Sequence, residues 1–360
     1  MATDGQPWFH AVGRGRPRET LMRMVHRYTT LIVGAGRFAR NYLQVMAQSN
    51  RLARVGSSKV VFDPLIVTRT SVQKARAKAR DILRTYGDSF NAVSAEVVKD
   101  VNGLETVLAV HRPDLICITA RDPHQGDRIH AEYSRLGLDV GTVLCEKPFS
   151  CVEGDGRTLI PLKALLQHRH AGRFSLHLPM AVVLQAMAND PYLGRLLGES
   201  EQVHFFWQKQ NAAGDLVNDL AVHPWSLLPG PVSPTGAERI TGPAEAVKIT
   251  FSSQPHGSAR SFCGSMLLQT GGLFRGMCFD GNVFQFRFED DKLRVLELDL
   301  PWPDILAGQG DQARAGVVLQ IENPLRQHLH ALLMGHPVVD MQQTLACQCF
   351  LESARHLLKT

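Results

Sequence analysis

The stretch TTLIVGAG, residues 29–36, running into RFARNYLQVMAQS, residues 37–49, decides the fold. An apolar run, Leu31–Val33, stops at Gly34 and Gly36. Apolar residues then recur at helical spacing as Phe38, Tyr42, Leu43 and Met46. Strand, turn and helix follow one another directly, and the turn reads Gly34-x-Gly36-x-x-Ala39. The first glycine permits a tight turn, the second lets backbone approach a pyrophosphate, and the third small residue lets helix and strand pack closely. The free N–H groups and positive dipole end of the helix would face the phosphates. The spacing alone is weak; its setting between strand and helix makes it specific. Gly34, Gly36, Arg37 and Phe38 are therefore expected to border a dinucleotide.

Outward from this motif the chain alternates. PLIVTRT (64–70) reads as a second strand and SVQKARAKARDILRTYG (71–87) as a helix stopped by Gly87. LETVLAVHR (104–112) and PHQGDRIHAEYSRLG (123–137) read as helices, PDLICITA (113–120) and DVGTVLCEKP (139–148) as strands. Such alternation implies a parallel sheet covered on both faces. The second strand ends in Thr68-Arg69-Thr70-Ser71. An acid at that place would bind a ribose 2′-hydroxyl, whereas an arginine can pair with a 2′-phosphate. Arg69 and Ser71, with Lys74, thus favour NADP(H) over NAD(H).

Beyond residue 150 the texture changes. DGRTLIPLKALLQHRHAG (155–172) reads as a helix, and period-two patterns dominate from Glu201 to Leu300. In NVFQFRFE (282–289) Phe284, Phe286 and Phe288 share one face and Gln285, Arg287 and Glu289 the other. FDGN (279–282) carries the Asp-Gly of a tight hairpin. EAVKITF, SMLLQ and LFRGMCF are expected as neighbours in an antiparallel sheet, and two helices, LRQHLHALLMG and MQQTLACQCFLESARHLL, follow. The division expected is a basic extension over 1–27, a dinucleotide-binding domain over 28–150 and a substrate and oligomerisation domain over 151–360, hinged near Phe149–Gly156.

Bulk properties exclude several classes. The 360 residues are 44% hydrophobic and 20% charged, an ordinary globular balance. No apolar run approaches the roughly 18–20 residues of a membrane span. The first 27 residues lack the apolar segment of a secretory signal and read as a solvated basic tail rich in arginine (Arg14, Arg16, Arg18, Arg23, Arg27). The net charge of +5 is not accompanied by a basic stripe with aromatics, which argues against nucleic acid. Seven cysteines without a CxxC suggest reduced thiols in the cytoplasm and no metal site. HRH (168–170) and HLH (328–330) lack metal spacing and read as surface.

Two places could carry chemistry. In an open parallel sheet, ligands gather beyond the carboxyl ends of the strands. Thr119 and Lys147 each end an apolar strand there, and Pro148 keeps Lys147 out of the helical region. The second place is NDLAVHPWSLL (218–228), where Asp219 and His223 stand four apart. On a helix they would share a face, and the acid could orient or tune the imidazole. Pro224 should start a helix at or near itself, which could distort that geometry. Spacing alone favours Asp219 as an N-cap and His223 as a core or surface residue.

Taken together, GAGRFA, TARDPH, VLCEKPFS and NDLAVHPWSLL, in this order, resemble the glucose–fructose oxidoreductase, inositol dehydrogenase and rhizopine-catabolism (Gfo/Idh/MocA) family over roughly residues 28–355. The resemblance implies an α/β protein: a Rossmann-like parallel sheet domain, then an α/β domain with a large, mostly antiparallel open sheet that often mediates dimers or tetramers. It implies hydride transfer between nicotinamide and a hydroxyl or keto carbon of a sugar- or cyclitol-like molecule. By that likeness His223 is the acid/base, Asp219 orients or tunes it, and Lys147 holds the same substrate. Thr119, His124 and Glu146 resemble the family's residues around the cofactor. Relatives often carry Asn-x-Arg where this chain has SLHLPMAVVLQAM, so His177 would greet the substrate instead, with Gln208 as further lining. Two alternatives stand beside this reading: an NADPH-dependent cyclic imine reductase of secondary metabolism, and a non-catalytic dinucleotide-binding regulator.

Overall fold

The computed structural model describes residues 25–68, 93–120, 128–210, 215–253, 261–289 and 291–360, with single positions between 73 and 90. Six strands form a wholly parallel sheet: β1 (His26–Val33), β2 (Val60–Thr68), β3 (Ser94–Val97), β4 (Leu115–Ile118), β5 (Thr142–Glu146) and β6 (Phe174–His177). Their order is β3-β2-β1-β4-β5-β6. The winding direction therefore reverses between β1 and β4, the place where open α/β sheets bind ligands. Both faces are covered, as near-continuous apolar strands require. Helix α1 (Arg37–Arg54) covers one face through Tyr42, Leu43 and Met46, alongside Leu325, Leu329 and Leu332 of the helix Pro324–Leu333. Helices Val101–His111 and Arg128–Val140 and much of the second domain cover the other.

The layout departs from the one expected from sequence. The sixth parallel strand lies beyond residue 150, since Glu146 of β5 is in register with His177 of β6. The boundary at 150 therefore cuts through the first sheet's connectivity, because a four-residue strand after a helix is too short to announce its sheet. The HLH segment is not surface: His328 is 0% exposed. It shares the inward stripe of its helix with Leu325, Leu329 and Leu332.

The second sheet has eight strands: β7 (Gln202–Lys209), β8 (Val232–Ile240), β9 (Ala246–Ser253), β10 (Cys263–Thr270), β11 (Arg275–Phe279), β12 (Asn282–Glu289), β13 (Lys292–Leu298) and β14 (Ala315–Glu322). The order is β14-β13-β12-β11-β7-β10-β9-β8, antiparallel except for the parallel pair β7–β10. SMLLQ and LFRGMCF are thus not neighbours, because β7 enters between them. The hairpin at FDGN forms as its sequence demands: Asp280 (φ 43°) and Gly281 (φ 93°) turn the chain and Phe279 pairs with Asn282. Phe205, Trp207, Phe251, Phe284 and Phe286 line the inner face in one core with the first domain's helices.

The link between the domains is clamped. Asn218 accepts from Val152 N at 2.9 Å and donates to Val152 O at 3.3 Å. Glu352, in the helix Met341–Leu357, accepts from Gly154 N at 2.6 Å and from the Thr158 hydroxyl. Residues 149–156 are thereby tied to both flanking helical segments.

Candidate active site

The glycine turn has the shape its sequence requires. Gly34 adopts φ +117°, and a Cβ there would lie 2.6 Å from Thr119 Oγ1 and 2.9 Å from Ala120 N. Thr119 closes the other side, its backbone N–H and its hydroxyl both donating to Val33 O, at 2.9 and 3.1 Å. Gly36 differs: it is the N-cap of α1, and nothing lies within 4 Å of where its Cβ would be. No side chain caps this helix and no acid stands in its first turn. Ala39 is buried against the sheet. An uncapped helix N-terminus behind an open glycine fits a dinucleotide pyrophosphate. Phe38 is largely exposed on the first turn. The side chain of Arg37, and Arg69, Ser71, Lys74 and His124, lie outside the described residues, as do residues 1–24 of the basic extension.

Beyond β5 the chain delivers Lys147, 9% exposed, against the second domain. Its ammonium donates to the main-chain carbonyl of Asp219 at 2.8 Å and lies 3.4 Å from Asp219 Oδ1. Lys209, ending β7, bonds the other carboxylate oxygen. Burial alone would raise the Asp219 pKa; Lys147 and Lys209 overcome it and hold the carboxyl below its usual range. Burial pushes the Lys147 pKa down, and Asp219 only partly counters this.

Asp219 and His223 do not pair. Among the described residues no hydrogen bond joins the Asp219 carboxylate to the imidazole. The helical segment starts before Pro224: Val217–Ala221 forms a wide π turn that passes into a short α-turn, Val222–Trp225. A proline lacks the N–H that would continue the ladder and crowds the carbonyl four residues back, so a widened turn before it relieves both problems. Asp219 turns to the lysines, while His223 stacks on Trp207 with centroids 5.6 Å apart and planes at 11°. Burial drives the His223 pKa well below the usual histidine value, and the charges of Lys147, Arg275, Lys209 and His177 push it further. The ring is a neutral imidazole at pH 7.

Glu146 and His177 form a second pair behind Lys147. Glu146 is 5% exposed and its Oε1 is 2.7 Å from His177 Nδ1. Burial works against the carboxylate, but His177 holds the Glu146 pKa below its usual value. The His177 ring packs edge-on against Tyr42 and His328, each with centroids 5.6 Å apart. His177 also lines a cleft of about 290 Å³ with Asn41, Gln44, Pro179 and Phe288.

Gln208 is not part of this site, which corrects the expectation. Strand alternation sends Trp207 and Lys209 inward and Gln208 to the opposite face, where it bonds Gln269 Oε1 at 3.3 Å and Phe274 N at 3.2 Å. Arg275 was not singled out from sequence. It pairs across from Trp207 in the sheet, and its guanidinium lies 5.5 Å from the Phe288 ring centroid. The signal was a lone arginine in the otherwise apolar LFRGMCF.

Residues 28–165 match the Gfo/Idh/MocA family model, described as an oxidoreductase family with an NAD-binding Rossmann fold. No curated protein sequence matches the chain. A Gfo/Idh/MocA family oxidoreductase from Vibrio cholerae shares the fold with TM-score 0.56 and 15% identity, over 91% of this chain and 96% of that one. Glucose-6-phosphate 1-dehydrogenase from Mycobacterium avium superposes with TM-score 0.52 and 14% identity, over 92% and 90% of the two chains. A glucose-6-phosphate dehydrogenase in complex with glucose-6-phosphate gives 0.54 and 10%, over 91% of each chain. At these identities the structural likeness speaks for the fold alone.

Proposed function

We propose, from the match of residues 28–165 to the Gfo/Idh/MocA family model, that the chain is an NADP(H)-dependent oxidoreductase acting on a hydroxyl or keto carbon of a sugar- or cyclitol-like small molecule. What supports the reading is that Lys147, just past β5, bonds the main-chain carbonyl of Asp219, four residues before His223, and that the Gly36 end of α1 is open. A bound nicotinamide dinucleotide supplies the hydride acceptor or donor. The chain's own groups handle the proton. His223, neutral at pH 7, takes the hydroxyl proton on an imidazole nitrogen and returns it in the reverse direction. Lys147 holds the same oxygen and stabilises its developing charge. Asp219 is a positioning residue: it anchors both lysines and does not orient the imidazole. Arg69 and Ser71 support the phosphorylated dinucleotide through their residue types at the end of β2.

Two properties accompany the reading. None of the seven cysteines is in a disulfide, which suits a reducing compartment such as the cytoplasm. Self-association through the larger sheet would cover the exposed Leu273 and Val317; light scattering on the purified protein tests this, and a monomer would contradict it.

The function is tested by measuring NADPH and NADH affinity from fluorescence, then turnover on keto-sugars, inositols and cyclic imines. Keto-sugar or inositol turnover with NADPH supports the proposal. Reduction of cyclic imines alone would replace the substrate class, and dinucleotide binding without any turnover would point to a regulator.

A further inference from the structure

The acceptor that holds Lys147 belongs to a very short helical segment. Asp219 lies in the five-residue π turn Val217–Ala221. A segment of that length draws its stability from tertiary contacts. Its entry is gripped from the last helix, Met341–Leu357, where Arg355 Nη2 lies 2.9 Å from Asp215 Oδ2. Both side chains are partly buried, 22% and 25% exposed. Asp215 is the residue from which the turn starts. Its Oδ1 accepts from Asn218 N at 3.3 Å, as an N-cap does, and its Oδ2 also accepts from Asn218 Nδ2 at 2.6 Å. Its main-chain carbonyl accepts from Asp219 N at 3.0 Å. The Asp219 carbonyl in turn receives the Lys147 ammonium at 2.8 Å. A continuous chain of bonds thus runs from Arg355 through Asp215 to the lysine.

The same helix grips the segment that follows Lys147. Glu352, three residues before Arg355 and on the same side of the helix, accepts from Gly154 N at 2.6 Å and from the Thr158 hydroxyl. A Cβ at Gly154 would lie 2.7 Å from His356 N, so the linker runs directly against the helix end. Two neighbouring side chains of one helix therefore hold both the segment beyond the lysine and the segment that presents its acceptor.

We infer that Arg355 and Asp215 are positioning residues of the reaction: their ion pair fixes the π turn so that Asp219 meets Lys147. The inference rests on the oxidoreductase reading, which gives Lys147 its place on the reacting oxygen. A fully exposed ion pair would contribute little, but this one is shielded, and removing one partner leaves the other charge half-buried. Without Arg355 the Asp215 carboxylate turns to water and takes the cap of the turn with it. The route passes through the main chain of Asp219 and is separate from the grip of the Asn218 side chain on Val152.

The test uses the full chain, and its first arm needs no substrate. Acetic anhydride acylates lysine amines in the folded protein, and peptide mass spectrometry reads the rate at Lys147. Arg355→Met is expected to raise that rate about tenfold, the equivalent of losing one hydrogen bond to a charged group. Asp215→Asn, which keeps a cap oxygen but not the charge, should raise it to a lesser degree. Arg355→Lys should restore most of the protection. Asp340→Ala removes the cap at the far end of the same helix, so it costs stability without touching Asp215 and should leave Lys147 as slow as in the parent. NADPH affinity, read from fluorescence, should change little in all four. In the second arm, on the keto-sugar or inositol that the parent turns over, kcat of Arg355→Met should fall about ten- to a hundredfold with the KM for NADPH retained. Lys147 labelled no faster in Arg355→Met and Asp215→Asn, or labelled as fast in Asp340→Ala as in Arg355→Met, overturns the inference. So does faster labelling with an unchanged kcat. A parent that binds no NADPH and turns over none of the panel would remove the oxidoreductase reading, while the labelling rates would still report whether Arg355 anchors Asp219.

Discussion

Lys147, just past the last residue of β5, donates to the main-chain carbonyl of Asp219, in the second domain, at 2.8 Å. The acceptor is a carbonyl in a π turn, where the main-chain bonding pattern is widened. The ammonium also lies 3.4 Å from Asp219 Oδ1, while Lys209 bonds the other carboxylate oxygen. The lysine that the first sheet delivers is thus held in place by the second domain.

Removing either reacting group should spare the cofactor. Lys147→Ala and His223→Asn are each expected to lower turnover by about 10²–10⁴-fold with NADPH affinity changed little. Stopped-flow turnover and fluorescence titration check this. Unchanged turnover in both variants would reject the site.

The two turn glycines should fail differently. Gly34→Ala places a Cβ against Thr119 Oγ1 and Ala120 N at a positive φ, so it should lower stability by more than about 1 kcal/mol. Gly36→Val meets open space, so the fold should survive within about 1 kcal/mol. Dinucleotide binding should nonetheless be lost, because the new side chain fills the approach. Thermal melts with and without NADPH separate the two outcomes; NADPH raising the Tm of Gly36→Val as it does the parent's would contradict the placement.

The depressed His223 sets a pH dependence. Its folded pKa lies well below the ordinary value of 6.5, so the unfolded chain binds a proton that the folded chain resists between those values. Stability is therefore fully present above about pH 6.5 and falls as the pH drops through and below it. His328, buried and depressed in the same way, adds to the loss. Oxidation should keep its neutral base to below pH 6.5. Lys209→Met removes a cation that depresses His223, so the acid limb of kcat/KM should move upward. A downward or absent shift would contradict the electrostatics.

The linker clamp should be separable from chemistry. Asn218→Ala leaves the buried N–H and carbonyl of Val152 without that partner, a cost of about 1–3 kcal/mol. Urea unfolding measures it. A change under half of that range would show that water replaces the side chain.

His177→Phe strands the buried Glu146 carboxylate, at a cost of about 3–5 kcal/mol. Adding Glu146→Gln should recover part of it. A double variant no more stable than His177→Phe would show that the histidine acts through packing alone.

Much of this was legible along the chain because it is local. Gly34, Gly36 and Ala39 sit within six residues, and their strand-turn-helix setting is visible without any partner. Lys147 could be found because a strand's end is a property of its own sequence. What escaped depends on pairing. Arg275 gains its meaning from lying across from Trp207, and Gln208 was misplaced because one residue of alternation decides its face. His177 reads as a substrate contact until β6 is seen to join the first sheet beside Glu146. Asp219 and His223 stand four apart, yet the carboxylate goes to Lys147 and Lys209 and the imidazole to Trp207, and no spacing rule reports that choice of partners.

The central claim is that Lys147, His223 and the nicotinamide ring share one pocket. A crystal structure of the protein with NADP+ measures it directly. The account predicts the pyrophosphate on the Gly36 end of α1 and the nicotinamide C4 facing a space bounded by Lys147 Nζ and the His223 imidazole, with room for a reacting carbon at about 3–3.5 Å from C4. A ring turned away from both side chains, or a dinucleotide bound away from the glycine turn, would contradict it.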